Sequence, residues 1–487
     1  MGLLKELLDA FEERTGLFKL LGDLAEHPVP PDAGWWYVFG SASLVAFIIQ
    51  VVTGMTLATA YISSTGDAYD ALQFITHNAL FGNILRGMHY FGASAMVLLI
   101  GIHMGQVFLM GCYKYPREFN WVTGVILLFL TLAMGFTGQL LRWDQNAVWS
   151  VVVGAEQAGR TPFVGSILAH FLLAGTTLGG ATLSRFFAFH VFFIPAIIFG
   201  VIAIHLYLVL HDGISEPPDA GEPVDPATYH QKYEQIVTER GVPFWPDAAW
   251  RDTVFCALVV LAIVVLALAF GPPELGLPPD PALLARDPRP DWYLVWYFAL
   301  LALIPHEMTS WVILLAPAFA VAVLLGVPLA SNTGERHPRN RPWAVASVIV
   351  IVLMVGTLWY WGDREPWSPD FGAKPLPAHV VGVDSGPIAT GAELFHSKGC
   401  EYCHRIGGHG GERGPDLTFV GDRLTADDLT VRIMNGGYNM PAFAGLLSAS
   451  ELQDLVTFLT SRQRIPAVTR SEAPVPSLAE RAPALPP

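Results

Sequence analysis

The chain has 487 residues, of which 52% are hydrophobic and only 14% charged, where an ordinary soluble domain carries about a quarter charged residues. Its 28 Lys and Arg against 42 Asp and Glu leave a net charge of −14, which repels a phosphate backbone and argues against a nucleic-acid partner. Four cysteines in so long a chain exclude a disulfide framework, and the length implies more than one domain.

The first 26 residues interleave Leu3, Leu4, Leu7, Leu8, Phe11, Leu17, Phe18, Leu21 and Leu24 with charges of both signs. This predicts an amphipathic segment over 1–30 on the cytoplasmic face, not a signal peptide. Seven charge-poor runs then reach the length of about 20 residues that a spanning helix needs. They are A (Trp36 to Tyr61), B (Gly87 to Met110), C (Phe119 to Leu141), D (Phe186 to Leu210), E (Thr253 to Ala269), F (Trp311 to Ala330) and G (Trp343 to Trp361). Thr161 to Ser184 is also uncharged, but counting it would place the basic loops after B (Lys114, Arg117) and after F (Arg336, Arg339, Arg341) on opposite faces. It is read as helices lying on the outer surface, and Trp292 to His306 as re-entrant or interfacial. Seven spans put the N-terminus inside and the C-terminus outside. After G comes a Pro-rich linker over 363–388, then a small soluble domain over 389–465 and a Pro/Ala-rich disordered tail over 466–487. The fold class is all-α, a seven-helix bundle followed by a small all-α domain.

Histidine within a span is costly and usually functional. B holds His89 and His103, 14 apart, and D holds His190 and His205, 15 apart. Both separations approach four turns, about 21–22 Å along the axis. With B and D running the same way, His89 matches the depth of His190, and His103 that of His205. Imidazoles facing each other at two depths are what two six-coordinate haem irons need. Gly40 and Gly54 in A, and Gly124 and Gly138 in C, repeat the spacing of 14 and would let a flat macrocycle lie against the backbone. Satisfied core histidines and close helix contacts are the bland alternative. Arg86, Arg185, Lys114 and Arg117 are candidates to neutralise haem propionates, or equally boundary charges.

These segments resemble cytochrome b of the Rieske/cytochrome b complexes, through `RGMHYFGAS`, `PREFNWVTGVILL`, `GFTGQLLRWDQ` and `SRFFAFHVFFIPAIIFGVIAIH`. The spacing of 15 in D is that of the chloroplast and cyanobacterial branch. E to G, from `PFWPDAAWRD` through `RPDWYLVWYFALLALIPHE`, resemble subunit IV of that branch, so two chains separate in chloroplasts are here fused, with a haem domain over 31–215 and a subunit IV-like domain over 216–362. The resemblance covers roughly Glu26 to Gly362. It implies that Pro290, Asp291, Trp292 and Tyr293 stand where the family has Pro-Glu-Trp-Tyr at its quinol-oxidising site, with Asp291 accepting a proton, Tyr293 beside it and Trp143 nearby. The Asp form accompanies low-potential quinols and favours menaquinol. Arg142 replaces the usual Pro. On the inner face His211, Asp212, Arg251 and Asp252 are candidates for proton uptake at a second quinone site, although His211 and Asp212 suit a solvated loop as well. The covalent haem link of the chloroplast branch is absent, since Val38 occupies that position. Cys112 and Cys256 read as inert thiols.

The run `GCEYCH` supplies Cys400, Cys403 and His404, the pattern for a covalent c-type haem, with a zinc site as the alternative. `GPDLTFVG` and `YNMPAF` are similar to class I cytochromes c and imply Met440 as second axial ligand. The resemblance thus implies a quinol:cytochrome c oxidoreductase core in a bacterial inner membrane, with proton translocation. It would carry two non-covalent b haems, one c haem and quinol/quinone. Its partners would be a Rieske iron-sulfur protein, a soluble or membrane cytochrome c or terminal oxidase as acceptor, and a second copy as homodimer. A membrane-anchored cytochrome c that only wires electrons onward, and a transporter, are the rivals; the first would not need Pro290 to Tyr293 or paired quinone sites, and the second gives no reason for `CEYCH` or for four histidines at matched depths.

Overall fold

The computed structural model describes residues 2–279, 289–365, 369–436, 440 and 442–464. The tail expected over 466–487 lies outside the described residues, as do parts of the outer loop (280–288), the linker (366–368) and the segment around Met440. The chain forms two compact units, Met1–Asp363 and Arg364–Pro487, and its regular structure is mainly helical, with two two-stranded ribbons among the described residues.

The first unit opens with α1 (Gly2–Thr15) and α2 (Leu17–Ala25), whose Leu4, Leu7, Leu8, Phe11, Phe18 and Leu24 are exposed. Then come α3 (Phe39–Ala58), α4 (Ala68–His77), α5 (Gly82–Leu109), α6 (Glu118–Leu140), α7 (Gln145–Gly159), α8 (Gly165–Leu173), α9 (Gly180–Ala188), α10 (Ile194–Asp212), α11 (Tyr229–Arg240), α12 (Ala249–Phe270), α13 (Val295–Leu303), α14 (His306–Ala330) and α15 (Pro342–Arg364). Among the described residues seven helices are long and apolar enough to cross a membrane: Trp35–Ala58, Gly82–Leu109, Glu118–Leu140, Gly180–Asp212, Phe244–Phe270, Glu307–Ala330 and Pro342–Arg364. They coincide with A to G, because long absence of charge is readable without tertiary knowledge. The stretch Thr161 to Ser184 forms the nine-residue α8 and, beyond a break at Gly179, the start of the fourth span. Trp292 to His306 contains the nine-residue α13, too short to cross.

One end of the bundle is tied by charge. Lys114 Nζ donates to Ser331 Oγ (3.0 Å) and the Thr333 carbonyl (2.5 Å), and Arg341 Nη2 to Tyr113 Oη (2.9 Å). Arg336 pairs with Glu216 at 2.6 Å. The loops after the second, fourth and sixth spans therefore share one end, as the two crossings between each loop and the next require. At the other end Trp143 Nε1 donates to the Thr65 carbonyl (3.1 Å), and Tyr69 Oη to that of Gly276 (2.8 Å).

The second unit holds α16 (Ala378–Val381), α17 (Pro387–Ser397), α18 (Ala426–Asn435) and α19 (Ala449–Thr460). Capping boxes at Thr425/Asp428 and Ser448/Glu451 start the last two. Gly391 lets α17 cross α19 closely, since a Cβ there would stand 2.5 Å from that of Phe458. Phe395, Ile406, Leu429, Leu455 and Phe458 form its core.

Candidate functional site

The four histidines stand on the second and fourth spans, two on each. His89 on α5 faces His190, with ring centroids 6.2 Å apart and planes at 74°. An iron held by two opposed imidazoles, with metal–nitrogen bonds of about 2.0 Å, separates the centroids by about 6 Å, so this pair fits one metal between the rings. Among the described residues no group of three or more His, Cys, Asp or Glu gathers to hold a metal; the histidines stand in pairs.

The unequal spacings have a local cause. On a straight α-helix 14 residues return within about 40° of the starting direction, whereas 15 overshoot by about 60°. The fourth span is not straight: Phe189–Phe193, which contains His190, is a π-helical turn. That turn absorbs one extra residue and leaves His190 and His205 in the phase of His89 and His103. Pro195 explains its position, since proline lacks the N–H that would bond the Val191 carbonyl one α-turn earlier.

The four glycines lie directly against the imidazoles. A Cβ on Gly54 would stand 3.1 Å from His89 Cε1, on Gly40 3.2 Å from His103 Cε1, on Gly138 2.6 Å from His190 Cε1, and on Gly124 3.7 Å from His205 Cε1. They thus seat the imidazole edges on α3 and α6, a nearer contact than the macrocycle contact expected from sequence.

Sequence reasoning missed the residue before three of these glycines. Thr53 Oγ1 gives its proton to the Ile49 carbonyl (2.6 Å) and accepts from His89 Nδ1 at 3.0 Å. Thr137 gives its proton to the Ala133 carbonyl (2.8 Å) and meets His190 Nδ1 at 3.2 Å. Thr123 gives its proton to the Asn120 carbonyl (2.9 Å) and meets His205 Nδ1 at 2.8 Å. With the hydroxyl proton committed to the backbone, Nδ1 carries the hydrogen, and Nε2 is left as the lone-pair donor a metal needs. The repeated Thr-Gly pairs at 53–54, 123–124 and 137–138 were the available signal.

The arginines nominated for propionates are engaged within the protein. Arg86 donates to Thr76 Oγ1 (3.0 Å) and the Pro273 carbonyl (2.8 Å). Arg185 lies over the Phe171 ring and donates to that residue's carbonyl. Arg117 is the most fully engaged of the three: Nε bonds the Gly213 carbonyl (2.9 Å), Nη1 Tyr229 Oη (2.6 Å) and Nη2 the Asp212 carbonyl (2.9 Å). It is a strut between the loops after α5 and α10.

At the opposite end of the bundle, Pro290 to Tyr293 is fastened to α6, α7 and α5. Gln139 Nε2 donates to the Arg289 carbonyl (3.0 Å), and Trp292 Nε1 to Ser94 Oγ (3.2 Å). Tyr293 Oη donates to Asp291 Oδ2 at 2.9 Å and fills the space that Gly135 leaves, where a Cβ would fall 2.0 Å from that oxygen. Burial raises the Asp291 carboxyl above the ordinary carboxylate range, against the opposing pull of the Tyr293 hydroxyl and the Arg142 charge. Arg142 pairs at 2.9 Å with Asp144, which is wholly buried and also accepts from Ala147 N (2.8 Å) and Gly276 N (3.0 Å). Trp143 is buried as a wall of this end. At the tied end, His211 Nδ1 meets Asp212 Oδ1 (2.8 Å), and Ser41 Oγ donates to Asp252 Oδ1 (2.6 Å), making two separate pairs. Arg251 lies over Trp250.

In the second unit His404 Nδ1 donates to the Pro415 carbonyl (2.9 Å), which frees Nε2 for a metal. Gly414 makes room for the ring, since a Cβ there would lie 2.6 Å from His404 Cε1. Cys400 and Met440 pack against the core of this unit, and burial pushes the Cys400 thiol up to about 12.

Residues 94–278 match the family described as cytochrome b(N-terminal)/b6/petB, 280–373 that of cytochrome b(C-terminal)/b6/petD, and 386–459 that of cytochrome C oxidase, cbb3-type, subunit III. The menaquinol:cytochrome c reductase cytochrome b subunit of Bacillus subtilis is 38% identical over 224 residues, which are 44% of this chain and 100% of that one. Cytochrome b6 of Heliobacterium modesticaldum is 39% identical over 207 residues, 42% of this chain and 97% of that one. A solved structure, that of a hyperthermophilic respiratory Complex III, superposes with a TM-score of 0.63 at 26% identity, over 73% of this chain and 91% of its own. The chain therefore belongs to the cytochrome b family, with the N- and C-terminal cytochrome b regions and a cbb3-type cytochrome c domain joined in one polypeptide.

Proposed function

We propose that this chain is the core electron-transfer subunit of a quinol:cytochrome c oxidoreductase that works with a Rieske iron-sulfur protein and translocates protons. The observation that carries the reading is the His89–His190 pair, whose ring centroids lie 6.2 Å apart with both Nδ1 atoms held by threonine. His89 with His190, His103 with His205, and Cys400 and Cys403 with His404 and Met440 are the residues that would hold haem, which would supply one-electron carriers.

The remaining chemistry falls to side chains. Quinol binds against Pro290, Trp292 and Trp143, and Asp291 takes the hydroxyl proton while Tyr293 holds the carboxylate in place. Its two electrons leave separately, one to the Rieske partner and on to a cytochrome c or terminal oxidase, the other toward the opposite face. There a second quinone takes up protons by way of His211 and Asp252. With the basic loops at the tied end placed inside, Asp291 and the cytochrome c domain lie on the outer face of a bacterial inner membrane. Aspartate in place of glutamate at 291 favours menaquinol, and the family resemblance favours a homodimer.

Haem extraction and pyridine haemochrome spectra on the purified complex test this, with an expected ratio of two extractable b haems to one covalent c haem per chain. A ratio of one to one would remove the route between the two faces.

A further inference from the structure

Four Thr-or-other/Gly steps face the four histidines, and one differs. Thr53, Thr123 and Thr137 precede Gly54, Gly124 and Gly138, and each meets an imidazole Nδ1. Gly40 is preceded by Phe39, whose ring packs edge-on against Phe255 at 5.5 Å. His103 Nδ1 is buried and has no hydrogen-bond partner among the described residues. The outer pair, His89 and His190, thus has two threonine-bonded imidazoles, and the inner pair, His103 and His205, has one.

We propose that this missing hydrogen bond differentiates the two metal sites, so that Thr53, Thr123 and Thr137 are positioning residues that set reduction potential and Phe39 withholds that effect at His103. The proposal rests on the reading that each histidine pair holds one haem iron. An Nδ1–H that donates to oxygen gives its ring partial imidazolate character and makes Nε2 a stronger donor. A stronger donor stabilises Fe(III) over Fe(II) and lowers the potential of the one-electron couple. Two such ligands at the outer pair and one at the inner make the inner site the easier to reduce. An electron arriving from the Asp291 end then moves downhill, and the slope is written into the residue before each glycine. Because all three threonines commit their own proton to a backbone carbonyl, each can only accept from its histidine, so the bond has one direction at all three sites.

Optical redox titration of the intact complex tests this in Thr53→Val, Thr137→Val and Thr123→Val, which keep side-chain shape and delete the acceptor, with Thr53→Ser as the conservative rescue. The first two should shift the outer haem toward Fe(II) by about tenfold, which for one electron is 59 mV, and leave the inner haem unmoved. Thr123→Val should do the reverse, and Thr53→Ser should restore the parent value. Phe39→Thr, which offers His103 the missing acceptor, should shift the inner haem toward Fe(III). Haem retained with unmoved potentials, or both haems moving together in every variant, would overturn the proposal while leaving the haem sites intact. Absence of b haem from the parent complex would instead remove the reading beneath it.

Discussion

Tyr293 donates to Asp291 across 2.9 Å, and its hydroxyl sits in a space that exists only because residue 135 is glycine. Burial raises the Asp291 proton affinity, and the hydrogen bond from Tyr293, which favours the charged form, partly opposes it. A proton acceptor must be ionised before it acts, so quinol oxidation should rise with pH through the Asp291 titration. Tyr293→Phe removes a group that stabilises the carboxylate, which moves the acidic limb of the pH–rate profile to higher pH. Asp291→Asn should lower turnover by about 10²–10⁴-fold, the usual worth of a positioned base, with haem content unchanged. Undiminished turnover in Asp291→Asn would count against its proton role.

Arg142 stands where the family usually has proline, and the structure supplies a reason for the change. Its partner Asp144 has no solvent exposure, caps α7 and holds Gly276. Arg142→Ala leaves that carboxylate buried without its counter-charge. Breaking a fully buried pair costs about 3–5 kcal/mol, and because the Arg142 side chain is 29% exposed the loss should fall at or below the lower end. Thermal unfolding in detergent measures it. The same variant removes a positive charge that holds the Asp291 proton affinity down, so its pH–rate profile should shift upward like that of Tyr293→Phe. A profile displaced to lower pH would contradict this electrostatic link.

The seven spans and the two histidine pairs were legible because both signals are one-dimensional: a run without charge, and a period close to 3.6. The π-turn at His190 was not, because the consequence of Pro195 for a spacing of 15 emerges only once the helix is built. Nor was the pairing of Arg142 with Asp144. Two residues on a tight turn announce neither that one is buried nor that Gly276, 132 positions away, leans on it. For Arg117 the sequence left a propionate role and a boundary charge equally open, and its bonds to the Gly213 and Asp212 carbonyls and to Tyr229, which join two loops, are tertiary facts that no local pattern carries. The threonines were visible but unremarkable singly, since a hydroxyl beside a helix glycine acquires meaning only when an imidazole faces it.

The glycines predict a graded series. Gly138→Ala would drive a methyl to 2.6 Å from His190 Cε1, tighter than any normal contact, whereas Gly124→Ala meets His205 Cε1 at an ordinary 3.7 Å. Gly138→Ala should therefore lose the haem of the outer pair, halving b haem per chain, and Gly124→Ala should keep both. Gly40→Ala and Gly54→Ala, at 3.2 Å and 3.1 Å, should fall between them. Haem quantified against covalent c haem in the same sample reads the series directly. Equal loss at all four positions would mean that the glycines serve helix approach in general and not these imidazoles.

Glu335 makes the tied end of the bundle sensitive to acid. One carboxylate oxygen accepts from Arg336 N and His337 N, both at 2.9 Å, and the other from Asn340 Nδ2 and Gly221 N, both at 2.8 Å. The Asn340 amide, with these backbone N–H groups, holds the carboxyl at about 2, below its ordinary value near 4.5. A carboxylate whose folded pKa is depressed contributes stability above its unfolded pKa and loses it as pH falls through the folded one. The contribution should thus be complete at pH 7, decline below about 4.5 and vanish near 2. Glu335→Gln should unfold at a lower temperature than the parent at pH 7, and the gap should close as pH falls through that window. Because Glu335 joins the segment after α10 to the segment after α14 through Gly221 and Asn340, the variant should also expose both loops to protease at neutral pH. A gap in melting temperature that stays constant from pH 7 to pH 3 would show that the charge of Glu335 is not what holds these loops together.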